Sequence, residues 1–392
     1  NHCVQYNHRG HHHHHHHHQQ QQQPPSKPPP QSFASHQQTR VETDQHHGEE
    51  DHDLDDVAFD DLPQRFAALS TGYRNDEEAN ESKTDILVAK ALSNLTPKQR
   101  EASTLEQHGI LELVEDEPGF DRAKVVAEFQ WQLQHLKTRS RLPLEALRHA
   151  EEMNYGFVHN EENYMKFLRT EGFDTRKAAI RFIKNWDMKQ YLFGQSKLCQ
   201  EISLSDLDES EIKMARKVYF QWLPSRDMSG RVVSVACPRN FKYGKPKSLV
   251  RILWAQEMRD EETCKNGIVG IMIYTEPFKL GSAQLEEIFM LVRYKECMPL
   301  RFACDHILLS GEHDTHERIM DFVLALFKNE TRAKVKLHRG THTEQMYSLL
   351  SYGIPVTQMP VTPNGTVKTK AHHEYLRMIE MRDCLNLQGF FD

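Results

Sequence analysis

The sequence predicts an α/β fold, a mostly parallel sheet flanked by helices, preceded by an all-helical N-terminal module and a disordered N-terminal tail. Three observations predict it. The chain starts in low-complexity sequence with little apolar surface to bury, which cannot offset the entropy of ordering. From residue 84 to Gly194 every periodic segment has helical spacing. After residue 200, short apolar runs of strand length alternate with amphipathic segments long enough to cross a sheet. These shifts divide the chain into 1–83, 84–200 and 201–392.

The tail holds an unbroken histidine run from His11 to His18, five glutamines and a proline-rich stretch from Pro24 to Pro30. Ten carboxylates and no Lys or Arg follow between residues 42 and 61. A solvated acidic tract of this kind acts as an interaction tail at most. In the helical module, Val125, Val126, Phe129, Leu133 and Leu136 fall on one face of a helix that starts after Asp121. Asp174 is placed to cap the next well-marked helix, which carries Ala179, Phe182, Ile183, Trp186 and Phe193 and ends at Gly194. Beyond residue 200 the expected strands are Arg231–Ala236, Gly267–Tyr274, Arg301–Leu309, Ala333–His338 and Ile354–Val361. Helices are expected at 249–261, 281–294, 314–328 and 342–352.

Charge and motifs narrow the function. The balance of 49 basic and 56 acidic residues gives -7, which excludes a global polycation for nucleic acid. Seven scattered cysteines with no C-x-x-C pair argue against a disulfide framework or a zinc ribbon, and for reduced thiols. No run approaches the roughly 18 apolar residues of a membrane span. A cytoplasmic protein is the expectation. G-x-G-x-x-G, the phosphate-binding P-loop, G-x-S-x-G and H-E-x-x-H are all missing from the sequence. The expectation is therefore a chain that is not an enzyme and holds no cofactor or metal. An α/β enzyme lacking these motifs is the weaker alternative, since convergent sites are recognised by geometry rather than order. Glu312, His313, Asp314, His316 and Glu317 form the densest group of ligand-type side chains. They read better as the cap and first turn of the following helix than as a metal site.

That helix is the informative element. Ile319, Met320, Phe322, Val323, Leu324, Leu326 and Phe327 spread over roughly 200° of its circumference, wider than the roughly 100° stripe of a surface helix. Two readings stay open: burial on two sides between the sheet and the helical module, or a lid with one face on the protein and the other on an apolar ligand. A basic stretch from Arg239 to Arg251 interleaves five cations with Phe241 and Tyr243 and contains no acid. It reads either as a solvated loop or as a surface for phosphates or anionic membranes. Arg332, Lys334 and Lys336 alternate with apolar residues, as in a half-buried strand with a cationic outer face.

The order of these features resembles the CRAL-TRIO lipid-binding family. Residues from Tyr164 to Ala179 resemble the F-L-R signature of its N-terminal helical module. Leu223 to Val233 resembles the D-x-x-G-R-P-V turn that opens its lipid-binding domain, with Asp227 and Gly230 making the turn. The step from Tyr294 to Ile307, the 315–328 helix followed by Thr331 to Val335, and Tyr352 to Pro355 follow in the family's order. The chain departs from the family after the second strand, where only Glu276 stands for the usual acid, and at the closing glycine pair, which is reduced to Gly353.

The resemblance implies a small hydrophobic lipid, bound non-covalently between a sheet floor and a gate helix. On it, the gate residues are Ile319, Met320, Phe322, Val323, Leu324 and Phe327. The floor residues are Ile271, Ile273 and Leu308. Lys242, Lys245, Lys247 and Arg251 are the expected contacts to a lipid headgroup or a transient membrane surface. A monomer without nucleic acid is implied, peripheral to membranes. The alternative is the same fold with a closed pocket, acting as a protein-interaction module.

Overall fold

The computed structural model describes residues 83–110, 119–217, 220–237, 246–257, 260–274, 282–309, 320–321, 323–325 and 327–387. The expected disordered tail, the 312–317 cluster and Glu276 lie outside the described residues. Every described residue belongs to one compact unit.

Two helices open the described chain: α1 (Lys83–Asn94) and α2 (Pro97–Gln107). Four more build the helical module: α3 (Arg122–Arg139), α4 (Glu145–Val158), α5 (Glu161–Thr170) and α6 (Thr175–Phe193). Their starts follow from side-chain caps. Asp121 accepts from the Lys124 amide and Asp174 from that of Lys177, each satisfying a donor that has no partner inside its helix. Gly194 ends α6 with φ 81°, a value that suits glycine. Phe129, Tyr164, Phe167, Phe182 and Trp186 pack edge to face as the aromatic centre of this module. The boundary expected near residue 200 separates helical from mixed structure. The packing runs across it: Met188 and Leu192 of α6 belong to the same core as Leu249, Leu253 and Met290.

The sheet comprises β1 (Phe220–Trp222), β2 (Val232–Ala236), β3 (Ile268–Tyr274), β4 (Phe302–Leu309) and β5 (Val335–His338), in spatial order 1-2-3-4-5. β1 pairs antiparallel with β2, and the other pairs are parallel. α7 (Glu209–Ala215) precedes β1, and between and after the strands run α8 (Pro246–Gln256), α9 (Glu261–Asn266), α10 (Ser282–Cys297), α11 (Asn329–Ala333), α12 (His342–Ser351) and α13 (Lys370–Leu387). Residues 320–321 and 323–325 are also helical. Successive parallel strands laid side by side in one direction carry their crossovers on one face. Accordingly α8, α10 and segment 320–327 cover one face of the sheet, while α12 and the chain around 354–361 cover the other.

The α/β class with a mostly parallel sheet is as the sequence predicts, and four strands begin within two residues of expectation. Three elements differ. Ile354–Val361 is no strand: Val356–Gln358 forms a 3-10 turn and Val361 makes one bridge to Val367. Pro355 and Pro360 lack the amides a ladder needs, and the apolar residues pack onto the sheet rather than join it. The helix expected at 249–261 is two helices, because Asp260 caps a new one at Glu261. Of the alternating cations, Arg332 lies in α11 and Lys334 at its end, so only Lys336 is in a strand.

Candidate functional site

The segment at 320–327 fixes which face of the sheet could hold a ligand. Met320, Val323, Leu324 and Phe327 are buried against Ile307, Leu309 and Val335. Half-buried Met272, Tyr274, Leu337, Ile288 and Val292 complete the surface beneath them, and Leu87 and Val88 of α1 close one side. Register explains the set. Met272 is level with Ile307 and Tyr274 with Leu309, so all four project to the same side.

The floor expected at Ile271, Ile273 and Leu308 is corrected by that register. These three residues point through the opposite face, where they pack with Leu349, Ile354, Met359 and Val361. The side-chain period of a strand is two, so an offset of one residue exchanges the faces. Of the expected gate residues, Met320, Val323, Leu324 and Phe327 lie over Met272 and Tyr274; Ile319 and Phe322 lie outside the described residues.

The polar groups on this face are organised. Lys295 places its ammonium 2.7 Å from both oxygens of Asp305 and over the rings of Phe302 and Phe327 at 4.8 and 5.9 Å. A Cβ on Gly270 would come within 2.3 Å of Asp305 Oδ1, so the pair requires glycine in the neighbouring strand. Burial raises the Tyr274 hydroxyl pKa, and the Glu287 carboxylate adds to the rise. Arg332 donates to the carbonyls of Leu324 at 2.7 Å, Phe327 at 2.8 Å and Ala325 at 3.4 Å. It holds the end of the 320–325 helical residues, where carbonyls lack intrahelical donors. Burial lowers its pKa.

Of the four expected headgroup contacts, Arg251 and Lys247 are among the described residues. Arg251 donates to Glu211 at 2.8 Å and to the carbonyls of Leu192 and Asp206 at 2.6 and 2.7 Å, and it covers the Phe193 ring. It ties α6, α7 and α8 together with three of its N–H groups. Lys247 lies 4.7 Å from the centre of the Tyr191 ring. Lys242 and Lys245 lie outside the described residues.

Sequence reasoning missed the polar cluster on the opposite face. His306 Nδ1 lies 2.8 Å from His338 Nε2, and His338 Nδ1 lies 2.7 Å from Ser348 Oγ. Tyr352 packs edge-on to His306 at 4.7 Å and stacks on His108 at 4.8 Å. Burial lowers the pKa of both central histidines, that of His338 to about 4, so the rings are neutral and share protons rather than charge. Beside them Arg231 and Asp227 form a fully buried pair at 2.6 Å. Arg231 also donates to the Glu106 and Gln107 carbonyls at 2.6 and 3.2 Å. Asp227 was legible as a turn residue: its Oδ1 accepts from the Ser229 and Arg231 amides. The histidine pair was not, because 32 residues separate its members.

Among the described residues, no group of three or more His, Cys, Asp or Glu is placed to hold a metal ion. Burial pushes the Cys237 and Cys297 thiols up to about 12, far from nucleophilic thiolates. No described helix is long and apolar enough to cross a membrane. No protein-family model matches the chain, and no curated protein matches it.

Proposed function

We propose that the chain binds a small lipid-like molecule without covalent chemistry, on the sheet face formed by Met272, Tyr274, Ile307 and Leu309. One observation carries the reading. β3 lies at the centre of the sheet, yet Met272 and Tyr274 are only half-buried, whereas Ile271 on its other face is 1% exposed. Apolar surface that remains accessible toward the C-terminal end of this central strand, under a covering segment, favours an apolar ligand, at about 0.8 kcal/mol for each CH₂ it buries. The family resemblance around residues 150–362 supports the same reading and suggests exchange of the ligand at a membrane surface.

A second reading has its own observation. Met320, Val323, Leu324 and Phe327 already bury themselves on the protein's own atoms, as a closed interaction module would require. Native mass spectrometry of the purified full chain, followed by solvent extraction, separates the two. Lipid at a stoichiometry near one per chain is the expected result. Repeated absence of lipid, with no rise in melting temperature on adding fatty acids or phospholipids, overturns the carrier reading and leaves the module.

A further inference from the structure

α1 makes a set of contacts that the ligand reading does not use. Its Thr84 is 1% exposed, and the hydroxyl donates to the carboxylate of Asp321, 237 residues away and 3% exposed. One residue on, Asp85 pairs with Arg339 at 3.1 Å, just beyond the end of β5. One turn further, Leu87 and Val88 lie against the cluster that contains Met320, Val323, Leu324 and Phe327. The same helix packs along α11, the element whose Arg332 grips the carbonyls of 324, 325 and 327. α2 anchors the arrangement from behind. Gln107 donates to the Ala333 carbonyl at 2.7 Å, and Glu106 pairs with Lys334 and Arg301 at 2.7 and 2.8 Å.

We propose that α1 is a strap, which holds the 320–327 segment down on the sheet, and that its release opens the apolar face beneath. The inference rests on the ligand reading for its consequence, but its physical content does not need a ligand. α1 buries few large side chains: Ile86 is 44% exposed, and Leu87 and Val88 are half-buried. Elements with few buried apolar contacts open at lower cost than a sheet core does. Thr84 and Asp321 are both buried where strap and segment meet, so a change at that contact bears on the two elements together. A strap that binds the closed form and not the open one shifts the balance by its own differential affinity.

The test uses the full chain with Thr84→Asp, which sets a second carboxylate against Asp321, and separately Arg339→Glu, which reverses a surface pair without touching the core. Hydrogen exchange is followed in peptides spanning 83–94, 320–327 and 302–309. Exchange should rise about tenfold in the first two, corresponding to about 1.4 kcal/mol, and stay unchanged in the third. Faster exchange in 83–94 alone would overturn the strap, whatever binds beneath. The variants are then loaded with a fluorescent fatty acid and mixed with phosphatidylcholine vesicles. The probe should leave about tenfold faster than from the unaltered chain, a factor again near 1.4 kcal/mol. An unchanged release rate would overturn the regulatory role. Failure of every form to take up probe would instead sink the ligand reading, while coupled exchange would still establish the strap.

Discussion

The two faces of the sheet are built from the same strands and solve burial differently. On one face Val233, Val235, Val269, Ile271 and Leu308 meet α12 and the 354–361 chain, and every one of them is almost fully buried. That face also holds the polar cluster of Arg231, Asp227, His306 and His338. On the other, Met272 and Tyr274 stay half-buried beneath a short segment held by a guanidinium and an N-terminal helix. The first face is closed by side chains that share few alternatives. The second is closed by an element that is itself held. The difference suggests where rigidity and change reside: polar groups that fit one arrangement fix the first face, and apolar contacts that can be remade cover the second.

The largest expected effect breaks the rigid face. Arg231 and Asp227 have no exposed side-chain surface, and the Asp227 carboxylate binds both the guanidinium and two backbone amides. Asp227→Ala leaves a buried cation uncompensated, a change that costs about 3–5 kcal/mol. Urea denaturation monitored by circular dichroism should show it as a lower midpoint with an unchanged slope. A loss under 1 kcal/mol, compared with that expected cost of about 3–5, would mean that water reaches the pair and that this face is less sealed than its burial indicates.

Acid sharpens the same comparison. His338 is buried with its pKa lowered to about 4, and burial also holds His306 well below the ordinary value. The unfolded chain therefore binds protons at these residues before the native chain does. Their contribution to stability is complete above the unfolded value of about 6.5 and is lost as pH falls toward about 4. For His338 alone the loss is about 3 kcal/mol between pH 7.5 and pH 4. A chain carrying both His306→Leu and His338→Leu should lose correspondingly less stability over that range. Denaturation curves at the two pH values measure it. Equal losses in both proteins would assign the acid sensitivity to carboxylates elsewhere.

How much of this could be read from the sequence differs between the faces for a physical reason. The fold class and the parallel strands follow from runs such as Ile268–Tyr274, because only buried strands carry that many branched apolar residues in succession. The same property hides the face. Ile271 and Ile273 are as apolar as Met272 and Tyr274, so alternation gives no phase, and the residues expected beneath the 320–327 segment lie on the opposite face from it. Ile354–Val361 looked like a strand because a loop packed on a sheet is as apolar as a strand within it; the two prolines were the available warning. Arg332 looked like the outer face of a strand, and its grip on the carbonyls of Leu324, Ala325 and Phe327 is a contact that no local pattern announces. β1 is only three residues long, too short for periodicity to register.

The smallest expected effect tests the adaptable face directly. Met272 lies two residues before the end of β3, level with Ile307, under the 320–327 segment. A large aromatic ring introduced into a filled core forces neighbours off their rotamers and costs about 1–3 kcal/mol. If accessible surface at Met272 reflects room for a ligand, Met272→Trp occupies that room with its own ring and changes stability by less than about 1 kcal/mol. Binding of a fluorescent fatty acid should then fall at least about tenfold, the equivalent of about 1.4 kcal/mol. Ile271→Trp, one residue away on the sealed face, should do the reverse: a clear loss of stability, with binding per folded molecule unchanged. Like destabilisation by both substitutions would show that the two faces are packed to the same density. The contrast between them would then come from polarity alone.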